Sequence, residues 1–372
     1  MKADATRRAR ASGTGQSSAA SRFRFEPALV MRSCSDELFN VLLDWCRDAS
    51  QAVLSEMWAA DVDLLCGERW KPRLRSKVAR AGWCRTDIVL GNKRITVRRP
   101  RVRSAQGREV DLPTFKAASA TDFLSREVIE DACAMVTTGS FPEARYPRGP
   151  IHTTFTDQLV SSLGALHATP KGEFDRGLLI SSVTLPDQSF LGALGIDVAG
   201  RRRLVGLASG SPDDRGRVEA LLGEVVVRHV RKVPPSICFV GESLAVREAV
   251  RNVFGQSVIL QRCPWEKRRH TVDRVPPAMQ PGVLEELLAA HALPEARAAR
   301  RALEQVAQSL EGSCPEAAST LREGLEETLA LHKLGGESGR DMLVAESTLA
   351  VARGGGNVGE SRPRNSAGGV SA

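Results

Sequence analysis

The chain has 372 residues, 42% of them hydrophobic and 26% charged, enough for two or three domains with real cores. Lys and Arg outnumber Asp and Glu by 52 to 44, a formal net charge of +8 that leans towards phosphate-bearing partners. No run approaches the roughly 18 apolar residues of a membrane span, and MKADATRRARASGTGQSSAASR lacks the apolar stretch of a secretory signal, so no membrane partner is expected. The eight cysteines show no CxxC and no zinc spacing; they read as reduced core thiols of a cytoplasmic protein.

Residues 1–24 are Arg, Ser, Ala and Gly with little to bury and are expected to be a disordered basic tail. Residues 36–66 repeat apolar positions at three and four and end at Gly67, which predicts one long amphipathic helix or two shorter ones. Between 67 and 110 stand fourteen basic residues against Glu68, Asp87 and Glu109. Within that stretch TDIVL and RITVRRPRV alternate around GNK, a β-hairpin pattern. Arg94, Thr96 and Arg98 share one face of the second strand, and Ile95, Val97 and Arg99 the other. Such a ribbon, with Trp70 and Trp83 nearby, suits a nucleic-acid backbone through Arg94, Arg98, Arg99, Arg101 and Arg103; the plain alternative is a solvated charged surface. Residues 120–137 carry helical spacing with Thr121 as N-cap. TTGSFPEARYPRGPIHTT reads as a Gly/Pro-rich linker, so residues 25–140 form a helical plus basic-hairpin module and 141–175 a linker with a short helix.

From residue 176 the pattern turns to α/β. GLLISSVTL, DQSFLGALGID and RRLVGLAS read as three strands, the last two joined by the DVAG turn. Residues 213–231 are helical, SICFVGE a buried strand, LAVREAVRNVF a helix and SVILQR another strand. Three antiparallel strands, helix, strand, helix, strand is the order of ribonuclease-H-like domains. Residues 281–333 return to helical spacing, which places an inserted helical segment at about 278–335, and the Gly/Ser/Pro-rich residues 354–372 are expected to be a disordered tail.

The strings VRRPRVRSAQGREV, LGALGIDVAGRRRLVGLASG, ESLAVREAVRNVFG, VILQRCPWEKRRHTVDRVP and PEAASTLREGLEETLALHKL run in series across roughly 67–353. This chain therefore resembles the Mutator-type transposases of bacterial insertion sequences. The resemblance implies a ribonuclease-H-like catalytic domain over 176–353, carrying that helical insertion and following an α+β basic DNA-binding module. It also implies double-stranded DNA with terminal inverted repeats as partner, a nucleoid-associated location, and self-association or pairing with an intact transposase.

The implied chemistry is phosphoryl transfer by two Mg²⁺ (or Mn²⁺) ions on three carboxylates, and neither hydroxyl nor amide replaces a carboxylate for so hard an ion. Matched position by position, the first Asp falls at Ser181 and the second at Gly241, beside Glu242. The third acid is Glu346 in VAESTLAVAR, the retained metal ligand of the set, although alone it reads equally well as a surface residue. The C-x-x-H string expected after the last strand is CPWE, with Cys263 kept, more simply as a core thiol, and Glu266 in place of His. Glu242, Asp187 and Asp197 are the carboxylates from which a site would have to be rebuilt. Arg262, Lys267, Arg268 and Arg269 are expected on the DNA side. The similarity ends near Arg353, so the expectation is a degenerate, C-terminally truncated copy that does not transpose by itself. Its alternatives are a non-catalytic DNA-binding remnant, which interferes or associates with an intact transposase, and a decay product without activity.

Overall fold

The computed structural model describes residues 33–72, 77–139, 149–168, 177–197, 201–229 and 235–333. The 36–66 periodicity becomes one helix, α1 (Cys34–Cys66). Ser33 caps it by accepting the Asp36 N–H at 3.0 Å, and Asp36 and Glu37 place negative charge in the first turn. Gly67, at φ 85°, ends it. A small pair, β1 (Gly67–Glu68) and β2 (Lys71–Pro72), follows.

The hairpin forms as predicted and is longer than the alternation suggested: β3 (Val78–Leu90) and β4 (Lys93–Ser104) pair antiparallel, with β5 (Glu109–Val110) on the outer side of β4. Gly91 and Asn92 turn it at φ 63° and 57°, the left-handed pair that a two-residue hairpin turn requires. The Asp122 carboxylate fixes that turn by accepting both N–H groups, at 2.9 and 2.7 Å. Next come α2 (Pro113–Ala120) and α3 (Arg126–Thr138). Thr121 closes α2, and the N-cap of α3 is Ser125, so the helix predicted from Thr121 starts later. Of the expected linker string, residues 150–154 are the first turn of the 19-residue α4 (Pro150–Ala168), and residues 140–148 lie outside the described residues.

The remaining strands are β6 (Gly177–Thr184), β7 (Ser189–Ile196), β8 (Arg202–Ser209), β9 (Ile237–Val240) and β10 (Ile259–Arg262). They form one mixed sheet in the order β10-β9-β6-β7-β8; β7 is antiparallel to both neighbours, and β9 and β10 run parallel to β6. Helices α5 (Arg215–His229) and α6 (Leu244–Phe254) pack Leu221, Leu222 and Val250 on Leu178, Ile180 and Leu191 of one face. Leu179, Val183, Phe190 and Leu194 point the other way and join α1, α3, α4 and the hairpin in one core. The basic module and the sheet thus share an interior instead of being strung apart. Gly192, opposite Ser181 in the ladder, makes that closeness possible, because a Cβ there would overlap the Leu38 side chain of α1.

After β10, α7 (Pro264–Val272) leads into α8 (Gln280–His291), α9 (Ala296–Leu310), α10 (Pro315–Arg322), α11 (Leu325–Thr328) and α12 (Ala330–Lys333). These helices bury Leu287, Leu303, Leu310 and Leu321 in a core of their own, where the helical insertion was expected.

Candidate active site

Adjacent parallel strands β6 and β9 end beside the start of α1, and a pocket of about 410 Å³ opens there. Ser181, Gly241, Glu242, Glu266, His270 and Asp36 are among the residues that line it. Two positions assigned from separate strings therefore meet in one place, Ser181 on β6 and Gly241 immediately after β9. Neither carries a carboxylate.

The room beside Gly241 is already filled. A Cβ on Gly241 would stand 2.7 Å from Glu266 Oε2, so Glu266 occupies space that an aspartate at 241 would need. Burial pushes the Glu266 carboxyl above its ordinary range, while the backbone of Ser35 and Cys34 at the start of α1 opposes that rise. A carboxylate against the first turn of a long helix is held by unpaired N–H groups and by the helix dipole.

Glu242 is committed elsewhere. It contacts His270 Nδ1, and its Oε1 stands 3.4 Å from Lys267 Nζ and 3.5 Å from Arg262 Nη2. Burial would raise its carboxyl, but His270, Lys267 and Arg262 outweigh burial and leave it below the usual range. Its charge is neutralised by its own neighbours.

The two other carboxylates weighed as substitutes, Asp187 and Asp197, do not line the pocket. Asp187 sits in the β6–β7 turn with its N–H on Glu130, at 3.1 Å. Asp197 accepts the Arg201 N–H at 3.0 Å and Nε at 2.8 Å beyond Ile196, at the opposite end of the strand pair. Glu346 lies outside the described residues. A pair of Mg²⁺ or Mn²⁺ ions needs converging, uncommitted carboxylates. The described donors do not fit such a pair: Glu242 is bound by cations, Glu266 caps a helix, positions 181 and 241 offer a hydroxyl and a hydrogen, and Asp36, at the start of α1, is the one further carboxylate in the described lining.

The basic residues divide sharply. Arg94, Arg98 and Arg103 are exposed on the hairpin, with Arg98 over the Trp83 ring at 5.1 Å and Trp70 and Trp83 open to solvent. Arg99 and Arg101 are half-buried and held by Glu109, at 2.7 and 2.6 Å. Arg262, Lys267 and Arg268, expected on the DNA side, are buried instead. Arg262 donates to the Glu323 carbonyl at 2.9 Å and Lys267 to the Thr320 carbonyl at 2.7 Å, satisfying groups that the end of α10 leaves open. The reason is helical: Lys267, Arg268 and Thr271 share the inner side of α7, whereas Arg269 faces outward. Arg269 alone of the four is exposed, over the Trp265 ring at 5.3 Å.

Asp36, Arg126 and His270 also line the pocket; nothing in the local sequence marked Asp36 or Arg126, whereas His270 ends the basic string after β10 that was expected on the DNA side. Glu266 did carry a signal, as the residue standing where a His was expected.

Fold and pocket together define an α/β domain with a polar cleft at the ends of its central strands. Residues 183–348, somewhat under half of the chain, match the family model described as Transposase, Mutator family. Gly241, Glu242, Glu266 and Glu346 fall inside the match, and Ser181 lies two residues before it. No curated protein matches the chain. Among the described residues no helix is long and apolar enough to cross a membrane.

Proposed function

We propose that this chain is a Mutator-family transposase by descent that still grips double-stranded DNA and no longer cuts it. The observation that carries this reading is the convergence of Ser181 and Gly241 on one pocket, with Glu266 in the room an aspartate would take. The order β10-β9-β6-β7-β8 with β7 alone reversed supports a ribonuclease-H-like core, the fold in which carboxylates at the ends of the first and fourth strands would meet. In such a core the residues at 181 and 241 would hold the metal ions, and the pair present here supplies no such ligand. The exposed Arg94, Arg98 and Arg103, with Trp70 and Trp83 beside them, support a duplex-binding ribbon whose energy comes from phosphate neutralisation. A protein of this kind occupies terminal repeats in competition with an intact transposase.

Retention of labelled duplex by the full chain across a salt series tests the binding half. Affinity is expected to fall steeply with salt, and the triple variant Arg94→Ala/Arg98→Ala/Arg103→Ala to flatten the log–log slope by about 0.9 for each phosphate that is no longer neutralised. An unchanged slope in that variant would remove the hairpin from the interface.

A further inference from the structure

Cys34 opens α1 and Cys263 precedes α7, far apart in sequence and both fully enclosed. Their sulfurs and a Glu266 carboxylate oxygen all lie within 4.8 Å of one another. Among the described residues no other trio of His, Cys, Asp or Glu converges in this way. We propose that Cys34, Cys263 and Glu266 form a binding site for a thiophilic divalent cation, with Zn²⁺ the ion whose chemistry it fits, tying the start of α1 to the β10–α7 turn.

The donor types select the ion. Two thiolates and one carboxylate suit Zn²⁺ and discriminate against Mg²⁺ and Ca²⁺, which take oxygen ligands. Sulfurs sharing one tetrahedral zinc stand roughly 3.8 Å apart, given Zn–S bonds of about 2.3 Å, so the trio needs only small adjustments. Loading replaces the two thiol protons, which pass to buffer, by the metal. Glu266 is the ligand on the pocket side, and a water molecule can complete the tetrahedron. The site is distinct from the two-ion site discussed above: it uses neither Ser181 nor Gly241 and stands whether or not the chain binds or cuts DNA. Neither cysteine alone suggested it, since each reads as a core thiol until the fold brings them together.

The test uses the full chain, metal-free and kept reduced without added thiols, titrated with Co²⁺ as a spectroscopic probe and then with Zn²⁺. One Co²⁺ per chain is expected, with a thiolate-to-cobalt charge-transfer absorption that Zn²⁺ displaces. The absorption should vanish in Cys34→Ser and in Cys263→Ser, binding should weaken at least tenfold in Glu266→Gln, and Cys84→Ser should behave as the unchanged chain. No thiolate absorption, or absorption surviving in both cysteine variants, overturns the site. Should the serine variants not fold, alkylation of the unchanged chain decides. Zn²⁺ is then expected to slow modification at Cys34 and Cys263 relative to the other six cysteines, and equal slowing or none overturns it.

Discussion

Two arginine-rich stretches that look alike in sequence end in opposite environments. The hairpin carries its charge outward, with Arg94, Arg98 and Arg103 in solvent and only Glu109 drawing Arg99 and Arg101 aside. The stretch from Arg262 to Arg268 turns its charge inward onto Glu242, Glu323 and the carbonyls at the end of α10. What separates them is periodicity and what lies opposite. A two-residue period on an outer ribbon alternates charge into water, whereas a helix wedged between a sheet and the helices that follow it turns every third or fourth residue inward. A basic run is therefore a nucleic-acid signal only after the fold has shown which side it faces.

The strongest way to break this comparison is to remove Arg262. Arg262→Ala leaves Glu242 short of a cation and the Glu323 carbonyl without its donor, an expected loss of about 3–5 kcal/mol in denaturant unfolding. A loss below about 1 kcal/mol would mean that the cluster is not buried as described. Gly324 probes the same guanidinium from the other side. At φ 64°, with Arg262 against the position of a missing Cβ, Gly324→Ala should cost about 1–3 kcal/mol.

His291 extends the comparison to pH. Burial, then Arg268 and weaker neighbours, pull its pKa down to about 3. A folded pKa below the ordinary 6.5 means that its contribution is fully present above pH 6.5 and is lost as pH falls towards 3. The expected slope is up to about 1.4 kcal/mol per pH unit in that window. His291→Leu should flatten the acid limb of a stability-versus-pH curve, and an unaltered limb would place the loss on another group. Smallest in stability is the hairpin: Arg94→Ala, Arg98→Ala and Arg103→Ala should each stay within about 0.5 kcal/mol while lowering duplex affinity. A larger unfolding effect would make those arginines structural, like Arg262.

Much of the framework was legible. The apolar spacing of 36–66 gave the single helix α1, Gly91-Asn92 the hairpin turn, and the strand strings after 176 the five strands of the sheet with their intervening helices. Ser181 and Gly241 were assigned from unrelated strings and line one pocket. The local sequence did not specify which side of α7 turns inward, because Lys267 and Arg268 read as solvated charge until α10 packs on them. Nor did it place Glu266 beside Gly241, or Cys34 against Cys263, since both approaches depend on how the start of α1 lies across the sheet.

Loss of cutting is tested most directly by nicking of labelled duplex bearing the terminal repeats by the full chain in Mg²⁺ or Mn²⁺, with Glu346→Ala alongside. Expected is retention of the duplex and no cleavage by either protein. Metal-dependent cleavage that the Glu346→Ala variant loses would contradict it, showing that the carboxylates present do assemble a working site.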